Sequence, residues 1–346
     1  MTGDVVALAA AVPDVALLTD ALGRFFQPST FARLVVEGLG KAAVYFIIAV
    51  GLTLVFGLMG VLNFAHGAFA MLGSYLGGIL VVLALAGGAG PITSIAFFVV
   101  VAAVVFAVMT VVGGALEVTL VRPIYDRTPT YQILMTFGIG LILEEGTRIA
   151  ATLRGVQPEP PWLKARGTLP GFLETQYDVL GANVRGFYVF EIVLGVLVAV
   201  AVWLFLTRTL YGLYIRAGSE DSEMVEALGI DVRKAFTVVF GLGTGLAAVG
   251  GVLLMWDPLW GASVLLNIDV LLYAFVVVII GGLGSFKGTL VAAVVVGVAD
   301  SFTTWLFNTG IVTFSGLPEV TVFLLLVVVL IVRPQGLYGV EEVGGH

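Results

Sequence analysis

Residues 42–116 read AAVYFIIAVGLTLVFGLMGVLNFAHGAFAMLGSYLGGILVVLALAGGAGPITSIAFFVVVAAVVFAVMTVVGGAL, a stretch without Asp, Glu, Lys or Arg. A transmembrane helix needs roughly 20 apolar residues to cross ~30 Å of hydrocarbon, so this stretch is long enough for three crossings. The whole chain of 346 residues is 60% hydrophobic and only 11% charged, whereas soluble domains carry roughly 25% charged residues. The sequence therefore predicts an integral membrane protein rather than a soluble enzyme.

Further apolar runs on the C-terminal side of this stretch extend the prediction. Candidate spans lie at 42–62, 64–86, 92–116, 131–150, 187–207, 235–256, 270–286, 289–308 and 318–332. Backbone polar groups in lipid must be satisfied within the protein, and the runs lack the alternating polarity of membrane β-strands, so each span should be a helix. The predicted fold is an all-α polytopic bundle of about eight or nine transmembrane helices, some of them broken.

The expected organisation is one transmembrane domain at 41–340, preceded by an N-terminal segment, 1–40, and followed by a short tail, 341–346. The N-terminal segment has the apolar spacing of a helix lying at the membrane surface. Within the domain, the polar segment 117–130 is expected to be a short loop, and the proline-containing segment 151–186 an irregular exposed loop. With the charged segment 208–234 inside, eight Lys or Arg fall on each side, so the positive-inside rule leaves the topology open.

The composition excludes several kinds of site. The chain has no cysteine and two histidines, His66 and His346, so no thiolate metal site and no two-histidine metal motif is expected. The net charge of −7 gives no basic surface for a nucleic acid. An intramembrane enzyme is disfavoured as well, because His66 is the only imidazole inside the spans and no GxSxG motif accompanies it.

The junction between the first two predicted spans carries the motif Gly57-Leu-Met-Gly-Val-Leu-Asn63-Phe-Ala-His66-Gly67. Asn63 and His66 are three residues apart and would share one face of a helix. Broken helices with polar groups at membrane depth commonly form transporter sites, which makes Asn63, His66 and Gly67 candidate pathway residues. The alternative is an interhelical turn in which Asn63 is the N-cap of the second helix.

Asp300 is a carboxylate deep inside a predicted span, well past Lys287 at the start of the same run. The separation of the two residues corresponds to roughly 20 Å along a helix. A charge at that depth costs ~3 kcal/mol or more, so Asp300 should be hydrogen-bonded or line water. It is either a structural polar anchor or a further pathway residue.

Two kinds of spacing predict contacts within the bundle. Glu144 and Arg148 are four residues apart and can form an ion pair on one helix face near the surface. Gly73 with Gly77, and Gly241 with Gly245, have the small-xxx-small spacing that lets helices approach closely. We interpret these glycines as packing positions within one bundle; a subunit contact is the alternative.

The segment 217–230 is polar but patterned. Apolar residues recur at helical spacing at Met224, Ala227, Leu228 and Ile230, which predicts a short amphipathic helix. Its apolar stripe either docks on a partner or packs back on the bundle. The sequence has no GxxxxGK[ST] motif, since Gly40-Lys41 is followed by Ala42. If ATP drives this protein, another subunit binds it.

Four motifs, taken in order, resemble the permease family of branched-chain amino acid ABC importers. They are the run 51–75 with its Asn-Phe-Ala-His-Gly core, the segment 220–254, the run Gly281-Gly-Leu-Gly-Ser-Phe-Lys-Gly288, and Arg333-Pro-Gln-Gly-Leu337. The resemblance covers about residues 40–340. One departure is Ala68, which stands where the family usually has Glu or Asp, and it raises the question of an altered substrate or rate.

The resemblance implies a mechanism and a set of partners. Two permease subunits, identical or related, would form the pathway, cytoplasmic ATPases would bind ATP and Mg²⁺, and an extracytoplasmic protein would deliver substrate. This chain would carry no cofactor, and lipid would surround it in the cell membrane. The segment 208–234 and the C-terminus would lie inside, and 151–186 and the N-terminus outside. The expected ATPase-coupling residues are Glu220, Asp221, Glu223, Glu226, Ala227, Leu228 and Gly229, with Gly229 ending the helix.

Two alternative transport functions stay open at this point. Relatives that carry urea or short amides share much of the pattern, although they more often have Met in place of Phe64. A proton- or sodium-coupled carrier that uses Asp300 and His66 belongs to a different class and would need an ion gradient instead of ATP.

Overall fold

The computed structural model describes residues 23–339 except 86, 87, 89, 126, 180, 221, 258, 259 and 315. Most of the N-terminal segment, with its expected surface helix, and the C-terminal tail 341–346 therefore lie outside the described residues. The side chains of 219, 220, 222 and 223 lie outside them as well.

The regular secondary structure of the described chain is helical apart from one small hairpin. In chain order its α-helices are α1 (Pro28–Met59), α2 (His66–Ala84), α3 (Pro91–Leu116), α4 (Pro129–Leu153), α5 (Leu163–Arg166), α6 (Gly171–Glu174), α7 (Gly186–Arg208), α8 (Leu210–Glu220), α9 (Ser222–Ala227), α10 (Val232–Leu254), α11 (Leu266–Gly281), α12 (Phe286–Asn308) and α13 (Leu317–Val332). The antiparallel hairpin pairs β1 (Gln176–Val179) with β2 (Ala182–Arg185).

Each predicted span coincides with one of the longer helices. Among the described residues, six helices are long and apolar enough to cross a membrane, the third of these running on through 117–124, and two shorter apolar helices, α11 and α13, accompany them. The remaining predicted span, 131–150, is α4, a helix of 25 residues that carries charged side chains in its second half. The prediction of an all-α, polytopic membrane bundle is confirmed.

The first span starts earlier than the charge-free run indicated. Helix α1 begins at Pro28 and runs for 32 residues, so Lys41 lies inside it and is only 9% exposed. The eight basic residues counted on the outer side in the positive-inside comparison included Lys41, and that placement of Lys41 outside the span was therefore wrong. The charge is tolerated inside the bundle because its ammonium is bound by Asp300 and Thr304.

Helix α10 packs into the centre of the bundle through close backbone contacts. A Cβ at Gly73 would lie 2.1 Å from the carbonyl oxygen of Ala248, and one at Gly241 would lie 2.6 Å from that of Thr110. No side chain fits at such distances, so these glycines let the helices touch. The small-xxx-small motifs are packing positions within one bundle, as predicted.

The segment 117–130 is not the short loop that was expected. The helical path continues after α3 as a π-helical turn, Glu117–Val121, and a 3₁₀ turn, Arg122–Ile124. The carboxylate of Glu117 is fully buried and holds the turn together by accepting hydrogen bonds from Arg122, Tyr125 and Thr237. A buried carboxylate needs such partners, and they turn a polar segment into an ordered extension of the helix.

The segment 151–186 is ordered, which corrects the expectation of an irregular exposed loop. It contains α5, α6 and the hairpin, and its backbone is hydrogen-bonded to residues 262–264, which follow α10. Trp162 N donates to Ala262 O at 2.9 Å, Val264 N donates to Pro158 O at 2.9 Å, and Tyr75 donates to Pro158 O at 3.0 Å. The carbonyls of this proline-rich stretch thus fix it against the end of the bundle.

Candidate functional site

Helix α1 is broken from α2 by the segment 60–65. Gly60 ends α1 with φ of +63°, and α2 begins only at His66. Asn63 therefore precedes the helix, and the prediction that Asn63 and His66 share a helix face was wrong. Asn63 Oδ1 accepts from Ala65 N at 3.0 Å, and the carbonyl of Asn63 accepts from His66 N at 3.2 Å. Asn63 thus caps the turn, although the N-cap position belongs to Ala65.

Both polar side chains of this break are fully buried and only partly hydrogen-bonded. His66 Nε2 lies 2.9 Å from Ile48 O on α1. His66 Nδ1 and Asn63 Nδ2 are buried without a hydrogen-bond partner among the described residues. Each such atom costs about 1–3 kcal/mol. The break therefore holds two buried polar atoms whose hydrogen-bonding capacity is unused among the described residues.

Two other helices hold the break. Phe64 N donates to Thr136 Oγ1 on α4 at 3.1 Å. A Cβ at Gly67 would lie 1.9 Å from the carbonyl oxygen of Asn267 on α11. Gly67 is thus the point at which α2 and α11 touch, and this contact requires glycine. Ala68, the departure from the family pattern, is fully buried beside it.

Asp300 forms the second candidate site. It is 4% exposed, and its Oδ2 lies 3.0 Å from Lys41 Nζ and accepts from Tyr45 at 2.6 Å. Thr304 joins the cluster by donating to Asp300 Oδ1 at 3.3 Å and accepting from Lys41 at 3.0 Å. The expectation that Asp300 would be hydrogen-bonded is confirmed, and Lys41 is the partner that the sequence analysis missed.

Asp300 also lines a cavity of about 410 Å³. Its wall is formed by Lys41, Trp260, Asp269, Leu272, Tyr273, Asp300, Thr304, Phe307, Asn308, Pro318, Glu319 and Phe323. None of Asn63, His66 and Gly67 is in this wall, so the structure does not bring the four predicted pathway residues into one cavity. The break and the cavity are both next to α11. Gly67 of the break contacts α11 at Asn267, and Asp269 of the cavity wall lies in the same first turn of that helix.

The predicted coupling segment forms α9 and a turn. Gly229 follows the helix with φ of +82°, a conformation that favours glycine. Val225 is buried, whereas Met224 is 58% and Leu228 72% exposed. The apolar stripe is therefore buried at Val225 but not at Leu228, where the alternative of packing back on the bundle was wrong.

The structure describes the side chains of only some of the remaining predicted coupling residues. The side chains of Glu226 and Ala227 are exposed. Asp221 and the side chains of Glu220 and Glu223 lie outside the described residues. Asp231 accepts from Lys234 N at 3.2 Å and caps α10 directly after the segment, and this backbone hydrogen bond lowers the pKa of the Asp231 carboxyl.

The ion pair predicted from spacing on α4 is present. Arg148 Nη2 lies 3.2 Å from Glu144 Oε1, and Arg148 also contacts Glu145 and Glu159. Glu144 Oε2 accepts from Asn267 Nδ2 at 2.8 Å, which links α4 to the start of α11. The Glu144–Arg148 pair was predicted as a contact within one helix, but Glu144 also connects α4 to α11.

A further buried carboxylate was missed. Glu191 on α7 is 1% exposed, and neither carboxylate oxygen has a hydrogen-bond partner among the described residues. A Cβ at Gly40 would lie 2.9 Å from Glu191 Oε2, so the carboxylate is pressed against α1. Its position inside an apolar span was the only sequence signal.

Comparison with known proteins shows the same family along most of the chain. The family model described as "Branched-chain amino acid transport system / permease component" matches residues 34–333. The permease protein BraD of the high-affinity branched-chain amino acid transport system of Pseudomonas aeruginosa is 29% identical over 321 residues, covering 90% of this chain and 97% of BraD. LivH of the corresponding Escherichia coli system is 26% identical over 321 residues, again covering 90% and 97%.

Among solved structures, PsaBC from Streptococcus pneumoniae in complex with Fab matches 94% of this chain and 98% of that chain, at 14% identity and a TM-score of 0.41. The family match covers both the break at Asn63–Gly67 and the cavity around Asp300. The chain is a multi-pass membrane protein and belongs to the permease-component family of branched-chain amino acid transport systems.

Proposed function

We propose that this chain is the permease subunit of an ATP-binding cassette importer and forms the translocation path for branched-chain amino acids, Leu, Ile and Val. The observation that carries the proposal is the family match across residues 34–333, which includes the residues of both candidate sites. BraD and LivH are named as permeases of high-affinity branched-chain amino acid transport. The substrate is inferred for this chain from those names, and ATP as the energy source is inferred from the motifs that resemble ABC importer permeases.

ATP and Mg²⁺ would be bound by cytoplasmic ATPase subunits that dock on α9. Two features of this segment support docking. Its exposed apolar residues, Met224 and Leu228, suit a groove that accepts an amphipathic helix. The network of Glu117, Arg122 and Thr237 connects the start of α10 to α3, so a force on the segment 208–234 reaches two central helices.

The proposed orientation places the N-terminus outside and the C-terminus in the cytoplasm. Contacts support one shared side for the segments proposed to be inside. Arg122 donates to Thr237, which joins the turn after α3 to the start of α10. Leu337 N donates to Ile280 O, which joins the chain after α13 to the end of α11. The segment 151–186 would be outside, on the face where an extracytoplasmic binding protein delivers the substrate.

Asn63, His66, Gly67 and Asp300 are the proposed pathway residues. Unused polar atoms on Asn63 and His66 would become available to substrate or water when the break opens. Gly67 lets α2 approach α11 closely at Asn267, and Asp300 lines the cavity to which Asp269 of α11 also contributes. ATP-driven closure of the ATPases would rock two permease subunits, identical or related, and alternate access to this path.

Transport by the reconstituted complex tests the proposal. Proteoliposomes would contain this chain with its co-purifying subunits, and uptake of labelled leucine would be measured with the binding protein present. We expect uptake when ATP is supplied on the side of the ATPases and none with a proton or sodium gradient alone. Uptake that follows an ion gradient without ATP would replace the importer by an ion-coupled carrier, and preference for urea or short amides over leucine would change the substrate class.

A further inference from the structure

Three carboxylates lie at nearly the same depth in the bundle. Asp269 is near the start of α11, Asp300 is in the second half of α12, and Glu319 is near the start of α13. The end of α11, the start of α12 and the end of α13 share one side, since Leu337 is bound to Ile280 and Ser285 N donates to Gly282 O. At ~1.5 Å per residue the carboxylates lie roughly 18–21 Å from that side. This depth falls within a hydrocarbon layer of ~30 Å.

All three carboxylates line the cavity of about 410 Å³, but they differ in their partners. Asp300 is buried and neutralised by Lys41 at 3.0 Å. Asp269 and Glu319 are exposed, and neither side chain has a hydrogen-bond or ion-pair partner among the described residues. A charged side chain at this depth is costly when it faces lipid tails and usually faces the bundle interior or a water-filled cavity. This wall of the cavity therefore faces water or ligand.

The charge of the wall selects a cation. It carries three carboxylates against one ammonium, that of Lys41. The carboxylates do not form a metal site, since the described residues contain no group of three or more His, Asp or Glu positioned to hold a metal ion. Separated carboxylates suit an ammonium group, which offers three donors in different directions. Trp260 and Tyr273, packed edge to face with ring centroids 5.6 Å apart, add aromatic surface that favours a cation.

The rest of the wall suits an aliphatic side chain. Its apolar part is formed by Leu272, Phe307, Pro318 and Phe323. The volume is in the range of small-molecule sites, roughly 300–1,000 Å³. Asn308 adds a side-chain amide whose N–H groups can donate to a carboxylate.

We propose that this cavity is a substrate subsite in which Asp269 and Glu319 bind the ammonium group of the transported amino acid. The proposal rests on the proposed function, because an amino acid supplies both the ammonium group and the aliphatic side chain. The Lys41–Asp300 pair is the rigid back wall of the subsite. Asp269 and Glu319 are then the residues that separate an amino acid from an uncharged amide.

The first test is uptake of labelled leucine by the full complex in proteoliposomes. The variants are Asp269→Asn, Glu319→Gln and the double variant, and the control is Glu174→Gln, an exposed carboxylate on the short helix α6. We expect the double variant to lose about tenfold in uptake rate, since each lost charge-assisted hydrogen bond weakens binding. The ATPase subunit should co-purify at the wild-type amount. Uptake by the double variant within about twofold of wild type would overturn the proposal.

The second test needs no transport activity and therefore separates this proposal from the importer function. The natural chain has no cysteine, so Asp269→Cys is a single labelling site. We expect a cationic methanethiosulfonate to react about tenfold faster than an anionic one of similar size, because Glu319 and Asp300 remain in the wall. Leucine should slow the labelling, and adding Glu319→Gln should reduce the ratio.

The labelling rates can either support or overturn the proposed cation subsite. The control Glu174→Cys should show a ratio closer to that of a free thiol. Equal rates for both reagents at position 269, or no reaction at all, would overturn a water-filled cation subsite. If the wild-type complex shows no ATP-driven uptake while the charge ratio persists, the proposed function fails and the cation site stands.

Discussion

Lys41 Nζ lies 3.0 Å from Asp300 Oδ2, and both side chains are less than a tenth exposed. The two residues are on α1 and α12, the pair of helices with the most extensive mutual packing around the candidate site. Tyr45 donates a hydrogen bond of 2.6 Å to the same carboxylate oxygen. A buried charge pair of this kind binds two helices at a defined register, and breaking it leaves one charge uncompensated.

Breaking the pair from either side should be more harmful than removing it. We expect Lys41→Met and Asp300→Asn each to lower the free energy of unfolding by about 3 kcal/mol, and the double variant to recover much of that loss. Thermal unfolding in detergent, read as a double-mutant cycle, measures the coupling. Additive losses would show that the two charges act independently.

Gly67 should not tolerate even a methyl group. Gly67→Ala places its Cβ 1.9 Å from Asn267 O, so α2 and α11 must separate, with an expected loss of about 1–3 kcal/mol. Gly138→Ala is the matched control, because a Cβ at Gly138, also within a helix, meets nothing within 4 Å. The measurement is the midpoint of thermal unfolding for both variants. Equal midpoints would contradict the close approach of the two helices.

Substitution of His66 tests whether the break between α1 and α2 has a role in transport or only a structural role. We expect His66→Ala to lower leucine uptake without loss of assembly, because the ring makes one hydrogen bond, to Ile48 O, and leaves Nδ1 unused. Uptake and the amount of co-purifying ATPase are measured on the same preparation. A variant that fails to assemble would make His66 part of a capped turn and nothing more.

Gly229 tests the coupling segment with a control on the other side of the bundle. Gly229→Trp should abolish uptake while the protein stays in the membrane, since the ring would fill the surface beside α9 on which the proposed ATPase subunit would dock. Gly155→Trp is matched, because both glycines have positive φ, +82° and +72°, and open space at the Cβ. Both variants carry a similar backbone strain of about 1–3 kcal/mol. Equal uptake by the two variants would remove the coupling assignment.

The features that could be predicted from the sequence depend on residues that are close together along the chain. Apolar runs of span length in lipid must become helices, so the helices were found in order although their ends shifted by several residues. Glu144 and Arg148 are neighbours on any helix, so their pair followed from spacing alone. The break near Asn63 was found from its glycines and polar residues, but its backbone was not. The prediction that Asn63 and His66 share one face of a helix was wrong, because α2 begins only at His66.

By itself the sequence determined the membrane environment, the helical class, the family and the places where helices are interrupted, because these depend on neighbouring residues and on the cost of exposing backbone to lipid. Tertiary structure alone decided which charges meet. Tyr45 and Asp300 are separated by 255 positions, and only the packing of α1 on α12 brings them together. The grouping of Asp269, Asp300 and Glu319 in one cavity has the same cause, since three helices, each with a single acidic residue there, must be placed side by side before their depths coincide.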